Sequence, residues 1–493
     1  MKITLLDRVT YNTFVQFIGK AVVGLSAFLL LSILTRSLGE DGYGAYALIF
    51  TWVIILSVFA DMGLYLTGVR ELSKPRANQN DIFGNLLSLK LISTFIVITG
   101  ASIILFFLPY APLVKNGIVI TFLLIFALFG INTIKSIFQS RLEMQFAVIG
   151  ETAGTLVSLA LSFLVLKLGF GLLAVVWAAI IGIMLNLLIA VSFSSRFVSI
   201  HFRFDPNIIK ALVRESFPLG LSAIMAVVYF RVDLLMLSWM KPLDDVGIYG
   251  AAYRIVEIAA IIPALFLGTV FPLLTKAIET QDGTLSRLYD RSFGFVTSLA
   301  IPMLVGGLIL ADPLMLLLTG EDFATIQTFD IPFFGLIAFD GTGATFRILL
   351  VATALMFWGQ LNGHLMIAGN MQKKLLHLYF VILPANVLLN IILIPRYSYI
   401  GAAATTLTTE VIAIMYTSWV VGRNLNQLPR CKRLMQAVAA SIPMGLLVWW
   451  LEIHILPLII IGAFCYFVIL HLFGGTVGLN TIKPEGDTDV LSQ

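Results

Sequence analysis

Charge is scarce in this chain. Asp, Glu, Lys and Arg make up only 12% of its 493 residues, against roughly 25% in a soluble domain, so a water-facing surface cannot be built from them. Cysteine is nearly absent: Cys431 and Cys465 alone supply neither a disulfide framework nor metal-ligand spacing. Five histidines form no metal or catalytic constellation, and His364 and His377 read as interfacial or packing residues rather than proton carriers. No nucleophile motif occurs, and the connections between apolar runs are mostly short. That argues against a glycan polymerase, a ligase or a membrane glycosyltransferase, which need an extramembrane loop or domain for their catalytic groups. No cofactor and no enzyme activity are expected.

What fills the chain instead is apolar. Hydrophobic residues reach 59% and the mean hydropathy is +0.98. Runs of about twenty apolar residues, long enough for a hydrocarbon core of about 30 Å, recur from end to end. The expected fold is an all-α integral membrane protein of about fourteen transmembrane helices. They are placed at 9–35, 44–69, 84–108, 113–138, 146–166, 170–195, 213–240, 246–274, 291–318, 344–369, 375–394, 400–421, 434–452 and 455–473. Lys2 and Arg8 precede the first run, but its length and the lack of a small-residue cleavage site mark a retained helix rather than a secretory signal. The stretch 320–343, broken by Pro332 and several glycines, is expected to be a loop or a partial re-entrant segment. Trp449 and Trp450 read as interfacial anchors.

Of the 31 Lys and Arg, twenty fall in one alternating set of loops and tails and five in the other. The positive-inside rule then places both termini in the cytoplasm, at the inner or plasma membrane. The net charge of +4 is therefore a sidedness signal and implies no nucleic-acid partner.

The chain also repeats itself. "LGEDGYGAYALI" (38–49) and "LDDVGIYGAAYRI" (243–255) each read as an acidic turn followed by Tyr-Gly-Ala opening a helix, with Tyr43 and Tyr249 in register. "KLGFGLLAVVWAAIIG" (167–182) and "PRYSYIGAAATTLTTE" (395–410) share a layout around Gly171 and Gly401. Half-repeats of this kind mark transporters with a substrate site between the halves. The simplest division is a six-helix lobe at 1–198, a cytoplasmic linker at 199–212, a second six-helix lobe at 213–425, and two extra helices with a cytoplasmic tail at 426–493.

Three stretches carry a family resemblance: "NTFVQFIGKAVVGLSAFLLLSILTRSLGEDGYGAYAL", "ESFPLGLSAIMAVVYFRVDLLMLSWMKPLDDVGIYGAAYRIVE" and "NVLLNIILIPRYSYIGAAATTLTTE", with the inner motif "FQSRLEMQ" at 138–145. Together they resemble the polysaccharide transporter branch of the multidrug/oligosaccharidyl-lipid/polysaccharide exporter superfamily, which includes O-antigen and related repeat-unit flippases. The resemblance implies two pseudo-symmetric six-helix lobes facing a central cavity, plus two C-terminal helices. It implies movement of a polyprenyl-diphosphate-linked oligosaccharide from the inner to the outer leaflet by alternating access. Membrane lipids and glycan polymerase or assembly proteins are the implied partners. The segment 328–343 is longer than the link usual before the tenth helix.

Ionised groups inside membrane helices are costly and normally face a polar cavity or a partner. Lys20 and Arg231 fall near mid-span on helices one and seven, and Arg254 about a third of the way into helix eight, where arginine forks and a lysine point charge suit a diphosphate. Lys90 is a further candidate, although it and Lys135 lie nearer the cytoplasmic ends and can snorkel; Arg347 is placed at the outer interface. Asp61, Glu151, Asp233, Glu257 and Glu410 are candidates for ion coupling or gating, Glu410 foremost because no base is close to it in sequence. The plainer alternative is mutual neutralisation: Arg254 and Glu257, three apart, share a helix face. Rival functions of the same fold are a small-molecule or multidrug exporter and a peptidoglycan-precursor lipid flippase; a membrane scaffold would not explain the repeat together with the central charges.

Overall fold

The computed structural model describes residues 5–74, 78–280, 283–331, 335–429, 431–451 and 453–475. The expected cytoplasmic tail beyond residue 475, Lys2 and the Cys431 side chain lie outside the described residues. Among the described residues, thirteen α-helices follow in chain order: α1 (Leu5–Asp61), α2 (Leu64–Leu72), α3 (Gln79–Phe107), α4 (Pro112–Ser140), α5 (Gln145–Lys167), α6 (Leu172–Ser194), α7 (Pro206–Met240), α8 (Leu243–Thr280), α9 (Thr284–Thr319), α10 (Gly341–Ala368), α11 (Gln372–Leu425), α12 (Cys431–Trp450) and α13 (Ile455–Leu472). Eleven are long and apolar enough to cross a bilayer. The fourteen expected spans therefore fall on fewer continuous helices. Both α1 and α11 carry two spans, and the second span crosses a break at Met62 and Gly63 into α2.

The breaks have backbone causes. Gly39 interrupts α1 at φ 67°, ψ −173°, a region open essentially to glycine alone. A Cβ there would meet nothing within 4 Å, so Gly39→Ala is expected to destabilise by about 1–3 kcal/mol from backbone strain alone. Its thermal midpoint in detergent tests this; an unchanged midpoint would mean the kink relaxes freely. The corresponding break in α11 falls at Ser398 (φ 44°, ψ −128°).

One expectation is corrected. The described residues of 320–343 form neither a loop nor a re-entrant segment. A 3-10 turn at Glu321–Ala324 leads into an antiparallel hairpin of β1 (Ile326–Ile331) and β2 (Gly335–Asp340). Each strand is only six residues long, far short of the twenty a spanning helix needs, and β-branched and aromatic residues favour the pleat. Phe329 lies 6.0 Å from Phe339 across the hairpin and 6.1 Å from Tyr399. Beside its end, Arg347 of α10 reaches Asp312 at 2.5 Å and Asp340 at 3.6 Å. Burial, and after it the Asp312 carboxyl, hold Asp340 above the usual carboxylate range.

The chain divides into two compact units, residues up to Ala251 with Leu318–Asp322, and Ala252–Leu317 with the chain from Phe323 onward. In the first, Phe83, Ile134, Ile137 and Phe138 are buried together with Met144 and Val198. In the second, Leu267, Val296, Phe357 and Leu361 form the core, and Met444, Val448 and Tyr466 tie α12 and α13 to α9.

Candidate functional site

In the first unit, two lysine–carboxylate pairs join helices distant in sequence. Gly19 on α1 has room for no side chain, since a Cβ would lie 2.3 Å from Val148 Cγ1. That close approach to α5 lets the next residue, Lys20, reach Glu151, one turn beyond Val148; Nζ to Oε1 is 2.6 Å. Both side chains are about one-third exposed, 36% and 31%, so the pair can still be reached by a solute. Lys135 of α4 lies within the electrostatic reach of both.

The second pair is enclosed. Asp61 ends α1, and its carboxylate turns back to accept the Tyr65 backbone N–H at 3.3 Å, where α2 begins. Its other oxygen sits 2.6 Å from Lys90 Nζ of α3. Lys90 is 1% exposed, and its ammonium lies 6.0 Å from the Tyr65 ring centroid. A cavity of about 10 Å³ beside the pair, with Ser57 and Asn132 in its wall, is the size of a single water.

Asp233 of α7 is buried at 3% exposure and accepts the Tyr249 hydroxyl at 3.3 Å. Arg231, two residues earlier, is half-buried. In the second unit, Arg254 meets Glu257 at 2.9 Å with 39% of the arginine exposed; the expected same-face pair is present. Glu410 is buried at 5%, within the electrostatic reach of Tyr379. No group of three metal-ligating side chains occurs among the described residues.

Sequence reasoning missed the polar clamps around these pairs. Asn12 donates to the Leu142 carbonyl and accepts the Met144 N–H at 2.8 Å, which fastens α1 to the "FQSRLEMQ" turn. Gln139 of that motif receives the Tyr65 hydroxyl. The only advance signal was polar residues inside apolar helices.

The sequence model of the polysaccharide biosynthesis protein family matches residues 9–278. The chain is 26% identical over 305 residues, 60% of each protein, to the succinoglycan biosynthesis transport protein ExoT of Rhizobium meliloti. It is 22% identical over 203 residues to the probable flippase AglR of Haloferax volcanii, covering 41% of this chain and 40% of AglR. The chain thus spans about three-fifths and two-fifths of these relatives' lengths. Among solved structures, the inward closed lipid II flippase MurJ superposes with a TM-score of 0.75 over 94% of this chain and 98% of MurJ, at 15% identity. An inward-facing MATE family multidrug resistance transporter of the MOP superfamily gives 0.63 over 82% and 95%, at 14% identity. The fold is that of these multi-pass membrane transporters.

Proposed function

The chain belongs to the polysaccharide biosynthesis protein family, and on that premise we propose that it flips a polyprenyl-diphosphate-linked oligosaccharide from the inner to the outer leaflet by alternating access. The observation that carries the reading is the set of accessible cations inside apolar helices. Lys20 at 36% and Arg254 at 39% side-chain exposure, with half-buried Arg231, are the groups that receive the diphosphate. Each phosphate oxygen competes with a carboxylate already present: Glu151 against Lys20, Glu257 against Arg254. Release of the phosphate restores the internal pair, so the cation is never left bare during a cycle, and a bare charge at that depth would cost at least about 2.5 kcal/mol. Lys90, enclosed against Asp61, is the least accessible of the candidate cations. Asp61, Glu151, Asp233, Glu257 and Glu410 are the candidates for coupling to an ion or for gating.

On this reading the substrate is carried unaltered, both termini are cytoplasmic, and the delivered repeat unit passes to glycan polymerase or assembly proteins outside. The test is a proteoliposome assay with labelled polyprenyl-diphosphate oligosaccharide in one leaflet and a glycan-modifying enzyme outside. Arg231→Ala and Arg254→Ala are expected to lower the flipping rate tenfold or more, from the loss of a charge-assisted contact of about 1.5–3 kcal/mol, while inserting normally. Undiminished flipping in both would remove the site. No flipping by folded wild type under an imposed ion gradient would shift the assignment to a small-molecule exporter, the function of the multidrug neighbours.

A further inference from the structure

The first three turns of α7 carry two apolar stripes where a surface helix needs one. Ile208, Leu212 and Ser216 face inward: Leu212 and Ser216 are 2% exposed, and Leu212 packs with Leu64 and Leu86, flanked by Leu89 and Ile208. One position on, about 100° around the helix, come Ile209, Val213 and Phe217. Val213 and Phe217 are exposed. One position further again come Lys210 and Arg214, both exposed. The outward apolar stripe is therefore bordered by a row of two cations on successive turns.

The segment leading into α7 completes a groove. The Ser199 N–H donates to Asn80 Oδ1 at 3.1 Å, that of Arg203 to the Gly84 carbonyl at 3.3 Å, and that of Asp205 to Asn85 Oδ1 at 2.6 Å. The Arg203 guanidinium also pairs with Asp81. Gly84 permits this seam, because a Cβ there would lie 2.9 Å from the His201 carbonyl oxygen. Phe202 and Phe204 are consequently held with 60% and 66% of their surfaces exposed, positioned by the backbone seam rather than by their own burial. Phe204, Pro206, Ile209, Lys210, Val213 and Arg214 line an open cavity of about 600 Å³. The nearby acids are engaged elsewhere: Asp205 accepts the Asn207 N–H at 2.8 Å as the helix cap, and Glu215 faces Arg70 at 3.8 Å.

We propose that this groove binds an anionic phospholipid. Its phosphate lies between Lys210 and Arg214, four residues apart on one face, and an acyl chain lies along Phe204, Ile209, Val213 and Phe217. A guanidinium and an ammonium are the side chains suited to a phosphate monoanion. The apolar stripe runs on into the span that α7 contributes, so a chain lying there stays continuous with the bilayer. A soluble partner helix would cover the stripe but would have to leave the membrane-side end of it in lipid. The bound lipid would brace the junction of α7 with α2 and α3.

The test uses the full-length protein in a neutral maltoside, titrated with phosphatidylglycerol and phosphatidylcholine of identical acyl chains and read by native mass spectrometry. Because the readout is binding, it is independent of whether the protein flips a glycan. Wild type is expected to retain phosphatidylglycerol about tenfold more tightly, because two cations near a lipid surface both favour an anionic headgroup. The preference should fall with added salt and approach parity in Lys210→Gln/Arg214→Gln, whose side chains are exposed and whose fold is checked by its thermal midpoint. Equal retention of the two lipids by wild type would overturn the proposal, as would a preference undiminished in the double variant. A third arm adds undecaprenyl diphosphate. If it displaces phosphatidylglycerol at a tenfold lower concentration, the groove is a station for the carrier lipid and the phospholipid assignment is wrong.

Discussion

Asp61→Asn is expected to destabilise the protein by about 3–5 kcal/mol, because it strips the counter-ion from an enclosed ammonium. Lys90 has 1% of its side chain exposed, so it cannot recover its solvation without opening the packing of α3 against α1 and α4. Lys90→Met should cost less, because Asp61 is 23% exposed and keeps the Tyr65 backbone donor. The double variant Asp61→Asn/Lys90→Met should be more stable than Asp61→Asn alone, since no charge is then left unpaired. The measurement is a double-mutant cycle on thermal unfolding in detergent. A fall of roughly five degrees is expected for Asp61→Asn, with most of it recovered in the double variant. A double variant as unstable as the sum of the two singles would mean that Asp61 and Lys90 are not coupled and that each is held by something else.

That pair also marks the limit of what the sequence discloses. The apolar runs gave the helices directly, because a bilayer-length stretch without charge has few other uses. Arg254 and Glu257 were legible as partners because three residues on one helix fix a shared face. Lys20 and Glu151 lie 131 residues apart, and the close approach at Gly19 and the Asn12 clamp bring their helices together. Lys90 sat near the N-terminal end of its run, where a lysine usually snorkels; its burial follows from the turn of Asp61 at a helix break that no periodicity announces. The hairpin was missed for a related reason. Its two six-residue strands are as apolar as a fragment of a spanning helix, and an apolar run of that length does not distinguish the two.

Gly44→Ala is the other substitution with a large expected effect, and it tests the repeat. The matched motifs at 38–49 and 243–255 are not merely alike; their glycines meet. A Cβ on Gly44 would lie 1.9 Å from the Leu243 carbonyl oxygen, and one on Gly247 would lie 2.2 Å from that of Glu40. Both obstacles are backbone, so neither can swing aside as a side-chain tip would. Tyr43 and Tyr249, the registered tyrosines, are 3% and 1% exposed, so the surrounding packing offers no slack. Gly44→Ala is therefore expected to destabilise by about 3 kcal/mol, the top of the usual range for overpacking, by forcing the second half of α1 away from the start of α8. Gly247→Ala should do the same, and the double variant should cost less than the sum, because one separation accommodates both methyls. Gly268→Ala in α8 is the control: nothing lies within 4 Å of its Cβ position, so helix propensity alone makes it neutral or stabilising. Thermal midpoints of the four variants decide the matter. If Gly44→Ala unfolds with Gly268→Ala rather than with Gly247→Ala, the helices do not touch at these glycines, and the repeat reflects a shared turn rather than a shared contact.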